Sequence, residues 1–122
     1  MMPRKNSRSK YGAKKTVVDG IKFDSQGEAA RYRVLSALQR MGTISDLQTQ
    51  VRYPLKCKGI AIKSAKGRQL VYTPDFVYKL NDETVYEDFK GMITGEAKLR
   101  ISVFESLYKV KVKIVKNYRE AV

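Results

Sequence analysis

The sequence contains no histidine and a single cysteine, Cys57. Without an imidazole there is no histidine general base, which excludes His-metal nuclease and Ser-His-Asp hydrolase mechanisms. One cysteine permits no internal disulfide. It also argues against a structural zinc site, which takes four sulfur or nitrogen ligands. Sparse cysteine fits a reducing cytoplasm, and Cys57 reads as a small filler side chain. No apolar run approaches the ~18 residues of a membrane span, and no apolar segment follows the charged N-terminus as in a secretory signal. A cytoplasmic protein with no membrane partner is the expectation. Acids are scarce too: 12 Asp plus Glu stand against 25 Lys plus Arg, a formal net charge of +13.

What remains is a 122-residue chain, 43% hydrophobic, long enough for one modest core and one domain. A basic surplus of this size on a small domain points first to a phosphate backbone. Arg4, Lys5, Arg8, Lys10, Lys14 and Lys15 occupy the first fifteen residues with no acid among them. Lys56, Lys58, Lys63, Lys66 and Arg68 follow the same pattern further on. By contrast Asp75, Asp82, Glu83, Glu87 and Asp88 crowd into 75–88, with Lys79 the one base there. A carboxylate repels phosphate, so a plain nucleic-acid binder has little reason to gather acids. A metal-dependent nuclease has one, because a divalent cation bridges carboxylate oxygens to a phosphate.

Residues 1–15 read as a flexible basic arm and 16–122 as a single domain. Thr16-Val17-Val18, Asp19-Gly20 and Ile21-Lys22-Phe23 predict a hairpin with a two-residue primed turn. Ser25-x-x-Glu28 matches a capping box, Ala30, Val34, Leu35, Leu38 and Met41 follow a helical stripe, and Gly42 ends it. Leu47 to Lys56 is expected as a strand containing Gln50, residues 57–67 as a loop, and Gln69 to Leu80 as a second strand. Asn81-Asp82-Glu83 turns the chain into a third strand, Thr84 to Lys90. A second helix is expected over about Gly95 to Tyr108. Val110, Val112 and Ile114 then alternate with Lys111 and Lys113, a half-buried strand with a basic outer face. The order helix, three strands, helix, strand implies an α/β (α+β) fold: a mixed four-stranded sheet flanked by helices, with antiparallel middle strands and a parallel last strand.

The chemistry concentrates at Pro74-Asp75 and, after twelve intervening residues, Asp88-Phe89-Lys90. Residues two apart on a strand share a face, so Asp88 and Lys90 point one way while Glu87 and Phe89 point the other. Antiparallel pairing across the turn brings Asp75 within reach of Asp88. The two carboxylates then suit one or two Mg²⁺ (or Mn²⁺) ions, with the Phe89 carbonyl as a further ligand. Lys90 is placed to orient a water or steady developing charge.

Pro74-Asp75…Asp88-x-Lys90 resembles the signature of the PD-(D/E)XK nuclease superfamily, and the element order resembles its restriction-endonuclease-like core. The likeness runs from about Lys10 to Val115. Lys10-Tyr11-Gly12, Asp19 to Ser25, Glu28-Ala29, Tyr32, Gln50, Tyr72-x-Pro74-Asp75-Phe76 and Glu87 to Gly91 resemble a family of small phage and prophage proteins of unknown function. Similarity to phage Holliday-junction resolvases is looser. The resemblance implies hydrolysis of DNA phosphodiester bonds with Mg²⁺ or Mn²⁺, and a role in phage recombination or replication inside a bacterial host cell. It also implies that Glu28 completes the metal site, and makes Gln50 an accessory candidate.

Each residue has a plainer alternative. Glu28 can simply cap its helix. Asp75 can be solvated at a strand end, and Asp88 with Lys90 can be an ordinary surface ion pair. Gln50 can be structural. Glu87 stands as an accessory candidate in case the register shifts by one. Lys111 and Lys113 either line a DNA groove, as the arm residues would, or keep a sheet edge soluble. At the level of function, a structure-specific endonuclease competes with a non-catalytic nucleic-acid-binding accessory protein and, more distantly, a basic RNA-binding protein. Paired cuts in branched or double-stranded DNA would require a symmetric homodimer.

Overall fold

A computed structural model describes residues 15–122. The expected N-terminal arm therefore lies outside the described residues except for Lys15, which is exposed. β1 (Thr16–Val18) and β2 (Ile21–Phe23) form the expected hairpin. Asp19 and Gly20 at its turn both take the left-handed backbone, φ 52° and 78°, as a primed turn requires. Ser25 then caps α1 (Gln26–Arg40), its Oγ accepting from the Glu28 N–H at 3.1 Å. The Glu28 carboxylate reaches back to the Asp24 N–H, also at 3.1 Å, one residue before the usual capping-box partner.

The middle of the chain differs from the long strands expected there. It divides into β3 (Ser45–Thr49), β4 (Tyr53–Pro54), β5 (Lys56–Cys57), β6 (Ile60–Ala61), β7 (Val71–Tyr72) and β8 (Phe76–Leu80). Gln50 is not inside a strand: its φ of 58° turns the chain out of the sheet. Pro74, which has no N–H to give a ladder, separates β7 from β8. The expected loop 57–67 contains the β5–β6 hairpin, whose turn at Lys58 and Gly59 is left-handed at both residues. β9 (Glu83–Phe89) follows a turn in which Asn81 and Asp82 have φ 53° and 67°. α2 (Gly95–Tyr108) and β10 (Val112–Val115) complete the order.

The four-stranded sheet runs β10-β9-β8-β3, with β9–β10 parallel and the other pairs antiparallel. The α-β-β-β-α-β order and the mixed sheet are as the sequence implies. On one face, α1 packs through Ala29 and Leu35 onto Phe23, Ile44, Phe76 and Tyr78. On the other, Ile101 and Phe104 of α2 meet Leu55 and Tyr72 from the β4–β7 segment. The pleat allots Val85 to the first core and Tyr86 to the second. Arg31, fully buried on α1, donates to the Tyr118 carbonyl at 3.0 Å and to that of Glu120, so the C-terminal tail is fastened across the first face. Lys113 is tied into this tail through the Ala121 carbonyl at 2.7 Å, whereas Lys111 is exposed. Among the described residues no helix is long and apolar enough to cross a membrane.

Candidate active site

Two elements, α1 and β8, begin and one, β9, ends at the same edge of the fold. In the β8–β9 ladder Phe76 stands opposite Glu87, so Asp75 falls opposite Asp88 at the sheet's end. The Asp75 N–H donates to Asp88 Oδ1 at 3.3 Å, and the Phe89 N–H donates to Asp75 Oδ2 at 2.8 Å. Tyr72 Oη donates to Asp88 Oδ2 at 2.6 Å, deep in the second core. Lys90 Nζ lies 3.8 Å from Asp88 Oδ1. The first turn of α1 brings Glu28 close enough to Asp75 for the two carboxyl groups to act on each other electrostatically.

Gly27 makes that approach feasible. A Cβ at this position would sit 2.5 Å from Phe89 Cε2 and 2.8 Å from Cζ, well inside contact distance. Glycine lets the helix start lie on the Phe89 ring and so sets Glu28 beside Asp75. Gly27→Val is expected to lower the unfolding free energy by about 1–3 kcal/mol, the usual range for overpacking, even though a helical glycine is removed. Thermal melting checks this. An unchanged melting temperature would mean that the ring moves aside freely.

The electrostatics are those of crowded like charges. Burial, then the charges of Asp88 and Glu28, push the Asp75 carboxyl from its ordinary 3.8 up to about 9. Burial also raises Glu28, with its contact to Asp75 pulling the other way. Desolvation and then the adjacent Asp88 carboxylate push the Tyr72 hydroxyl above its ordinary range, so it stays a donor. The folded state thus holds a proton on Asp75 that the unfolded chain releases at 3.8. The stability associated with that proton is complete below 3.8 and is lost as pH climbs toward about 9. In EDTA, wild type is therefore expected to lose melting temperature relative to Asp75→Asn across that window. Parallel melting curves for the two proteins would contradict it.

Asp75 and Glu28 face a cleft of about 590 Å³ bounded also by Lys22, Asp24, Gln50, Arg52, Thr73 and Lys90. A smaller cleft of about 310 Å³ continues past Asp88 and Lys90 to the start of α2 at Thr94 and Ala97. Thr73 and Lys90 border both. A separate hollow of about 560 Å³ between α1, Thr16 and Tyr118 has no carboxyl in its wall. Gln50 reaches the main cleft, but its Nε2 donates to the Lys22 carbonyl at 3.0 Å, a structural bond. Glu87 points away, to the α1 face, where Oε2 accepts from Arg31 Nε at 2.6 Å and Oε1 from Tyr78 Oη at 2.7 Å.

Among the described residues no three acidic side chains are gathered into a cage that holds a metal by themselves. The donors present nevertheless suit a hard cation. Asp75 and Asp88 offer carboxylate oxygens, a cation would displace the proton that crowding holds on Asp75, and Mg²⁺ typically keeps several waters and takes only one or two carboxylates. Tyr72, Gly27, Arg52 and Thr73 were not legible as site residues. Their roles arise from pairing between distant segments; Tyr72 stands in the Tyr72-x-Pro74-Asp75 stretch, but nothing local signals its bond to Asp88.

A family model described as a protein of unknown function (DUF1064) matches residues 8–120. No curated protein and no solved structure matches the chain.

Proposed function

The chain belongs to the DUF1064 family, described as of unknown function, and from its site we propose that it is a metal-dependent endonuclease hydrolysing DNA phosphodiester bonds. The observation that carries this reading is that Asp75 and Glu28 line one cleft of a basic protein, Asp88 lines the adjoining one, and Lys90 borders both beside Asp88. The PD-(D/E)XK resemblance of Pro74-Asp75 and Asp88-x-Lys90 supports it. On this reading Asp75, Asp88 and the Phe89 carbonyl hold Mg²⁺ or Mn²⁺, with Glu28 completing the set. The ion, when bound, lowers the pKa of a water and offsets charge on the scissile phosphate.

The chain's own groups do the rest. Tyr72 fixes Asp88 by occupying one of its oxygens, and the Phe89 N–H fixes Asp75 in the same way. Lys90, half-buried between the two clefts, orients the attacking water and steadies charge on the phosphate. We take the enzyme to be structure-specific and resolvase-like, acting on branched or double-stranded DNA as a homodimer. The test is cleavage of labelled linear, flapped and four-way-junction DNA in Mg²⁺, Mn²⁺ or EDTA, with the sedimentation mass measured alongside. Metal-dependent cutting is the expected outcome. Tight binding of every DNA without cutting would favour the alternative, a non-catalytic accessory protein, which leaves the crowded carboxyls unexplained.

A further inference from the structure

Between Asp46 and Asp75 the chain has no acidic residue and six basic ones: Arg52, Lys56, Lys58, Lys63, Lys66 and Arg68. All six are exposed. Among the described residues none of them takes part in a salt bridge, whereas Arg31, Lys90 and Arg100 all do. This stretch includes β4 to β7 and folds into a small antiparallel layer. The Leu55 N–H donates to the Leu70 carbonyl at 2.9 Å, the Ile62 N–H to the Leu55 carbonyl at 2.9 Å, and the Leu70 N–H to the Ile62 carbonyl at 2.8 Å. Leu55, Ile62 and Leu70 turn inward onto the α2 core. By the two-residue alternation of a strand, Arg52, Lys56 and Lys63 fall on the opposite, outer face. Arg52 also borders the carboxyl cleft, so the basic layer is continuous with the site.

We infer that this outer layer is the surface that grips duplex DNA and leads its backbone to the cleft, an inference that rests on the nuclease reading for the choice of DNA. Unpaired cations on a short β layer match a row of phosphates. The neighbouring aromatics do not favour single strands: Tyr53 and Tyr72 pack inward against Phe104 and cannot stack on bases. In this layer Ile60 is the one large apolar side chain that is strongly exposed among the described residues, too little apolar surface to enter a membrane.

The test measures binding of the full-length protein to a labelled DNA duplex in EDTA across a salt series. Lys56→Gln/Lys63→Gln is compared with wild type and with Lys79→Gln/Arg33→Gln, an equal loss of charge elsewhere on the surface. The layer variant is expected to lose about ten-fold or more in affinity, and its log K against log salt slope to shrink by about 1.8, near 0.9 per phosphate contact. The control pair is expected to change neither by as much. Equal effects in both pairs, or no effect in the layer variant, would overturn the inference. So would a loss confined to duplex RNA or to anionic phosphatidylserine vesicles. Binding in EDTA is read without cleavage, so failure of the nuclease reading shows separately, as absence of cutting by wild type in Mg²⁺.

Discussion

Asp88→Asn should abolish cleavage while leaving the protein folded and at least as stable as wild type. Asp88 is 2% exposed and holds Tyr72 Oη and the Asp75 N–H on its two oxygens. The amide keeps the shape and one acceptor but removes the charge. On the proposed reading that charge is needed for metal and phosphate, and its loss should reduce the rate by on the order of 10³-fold, about 4 kcal/mol at 1.36 kcal/mol per decade. Stability moves the other way because Asp88 is the first charge acting on Asp75, after burial, in pushing its carboxyl up to about 9. Removing it relieves a repulsion within the site. Residues whose replacement lowers activity and raises stability mark sites selected for function rather than folding. A single-turnover cleavage assay and a melting curve in EDTA give both quantities. Wild-type cleavage by Asp88→Asn would remove the residue from the mechanism.

The opposite pattern is expected one residue earlier. Glu87→Ala should unfold the protein or nearly so, because it leaves Arg31 as a buried charge without its partner. The pair is bidentate, Nε to Oε2 at 2.6 Å and Nη2 to Oε1 at 3.0 Å, with both side chains fully buried. Breaking such a pair from one side typically costs about 3–5 kcal/mol, a large part of the roughly 5–15 kcal/mol that holds a domain together. The same guanidinium also fastens the C-terminal tail at Tyr118 and Glu120, so its displacement frees that segment. Urea denaturation of Glu87→Ala measures the loss. Arg31→Met/Glu87→Leu, which removes both charges and refills the space with apolar atoms, should recover much of it. If Glu87→Ala loses activity without losing stability, Glu87 belongs to the site after all.

The contrast between these neighbours shows what a sequence can carry. Strand alternation alone puts Asp88 and Glu87 on opposite faces, and Pro74-Asp75 with Asp88-x-Lys90 needs only a tight turn to converge. Local signals also sufficed where a residue's own backbone preference decides: Asp19-Gly20 in the first hairpin, Ser25 at the cap of α1, and α2 at Gly95–Tyr108. The long middle strands failed because continuity of β-formers conceals two interruptions. Gln50 turns left-handed where its amide can reach the Lys22 carbonyl and its N–H the Asp75 carbonyl, both distant in sequence. Pro74 breaks the ladder where Asp75 must leave it. The pairing of Tyr72 with Asp88, of Arg31 with Glu87, and the seat of Phe89 on Gly27 are all long-range. Packing decides them, and no periodicity encodes packing between particular side chains.

The central claim is that the Asp75–Asp88 cluster binds a divalent cation, and a direct titration tests it without knowledge of the DNA substrate. Mn²⁺ is titrated into wild type, Asp75→Asn and Asp88→Asn at pH 8, with binding read by calorimetry and confirmed by paramagnetic resonance. The account predicts saturable binding to wild type that is lost or strongly weakened in both variants. Equal binding to all three proteins, or none to wild type under conditions in which it cuts DNA, would contradict it.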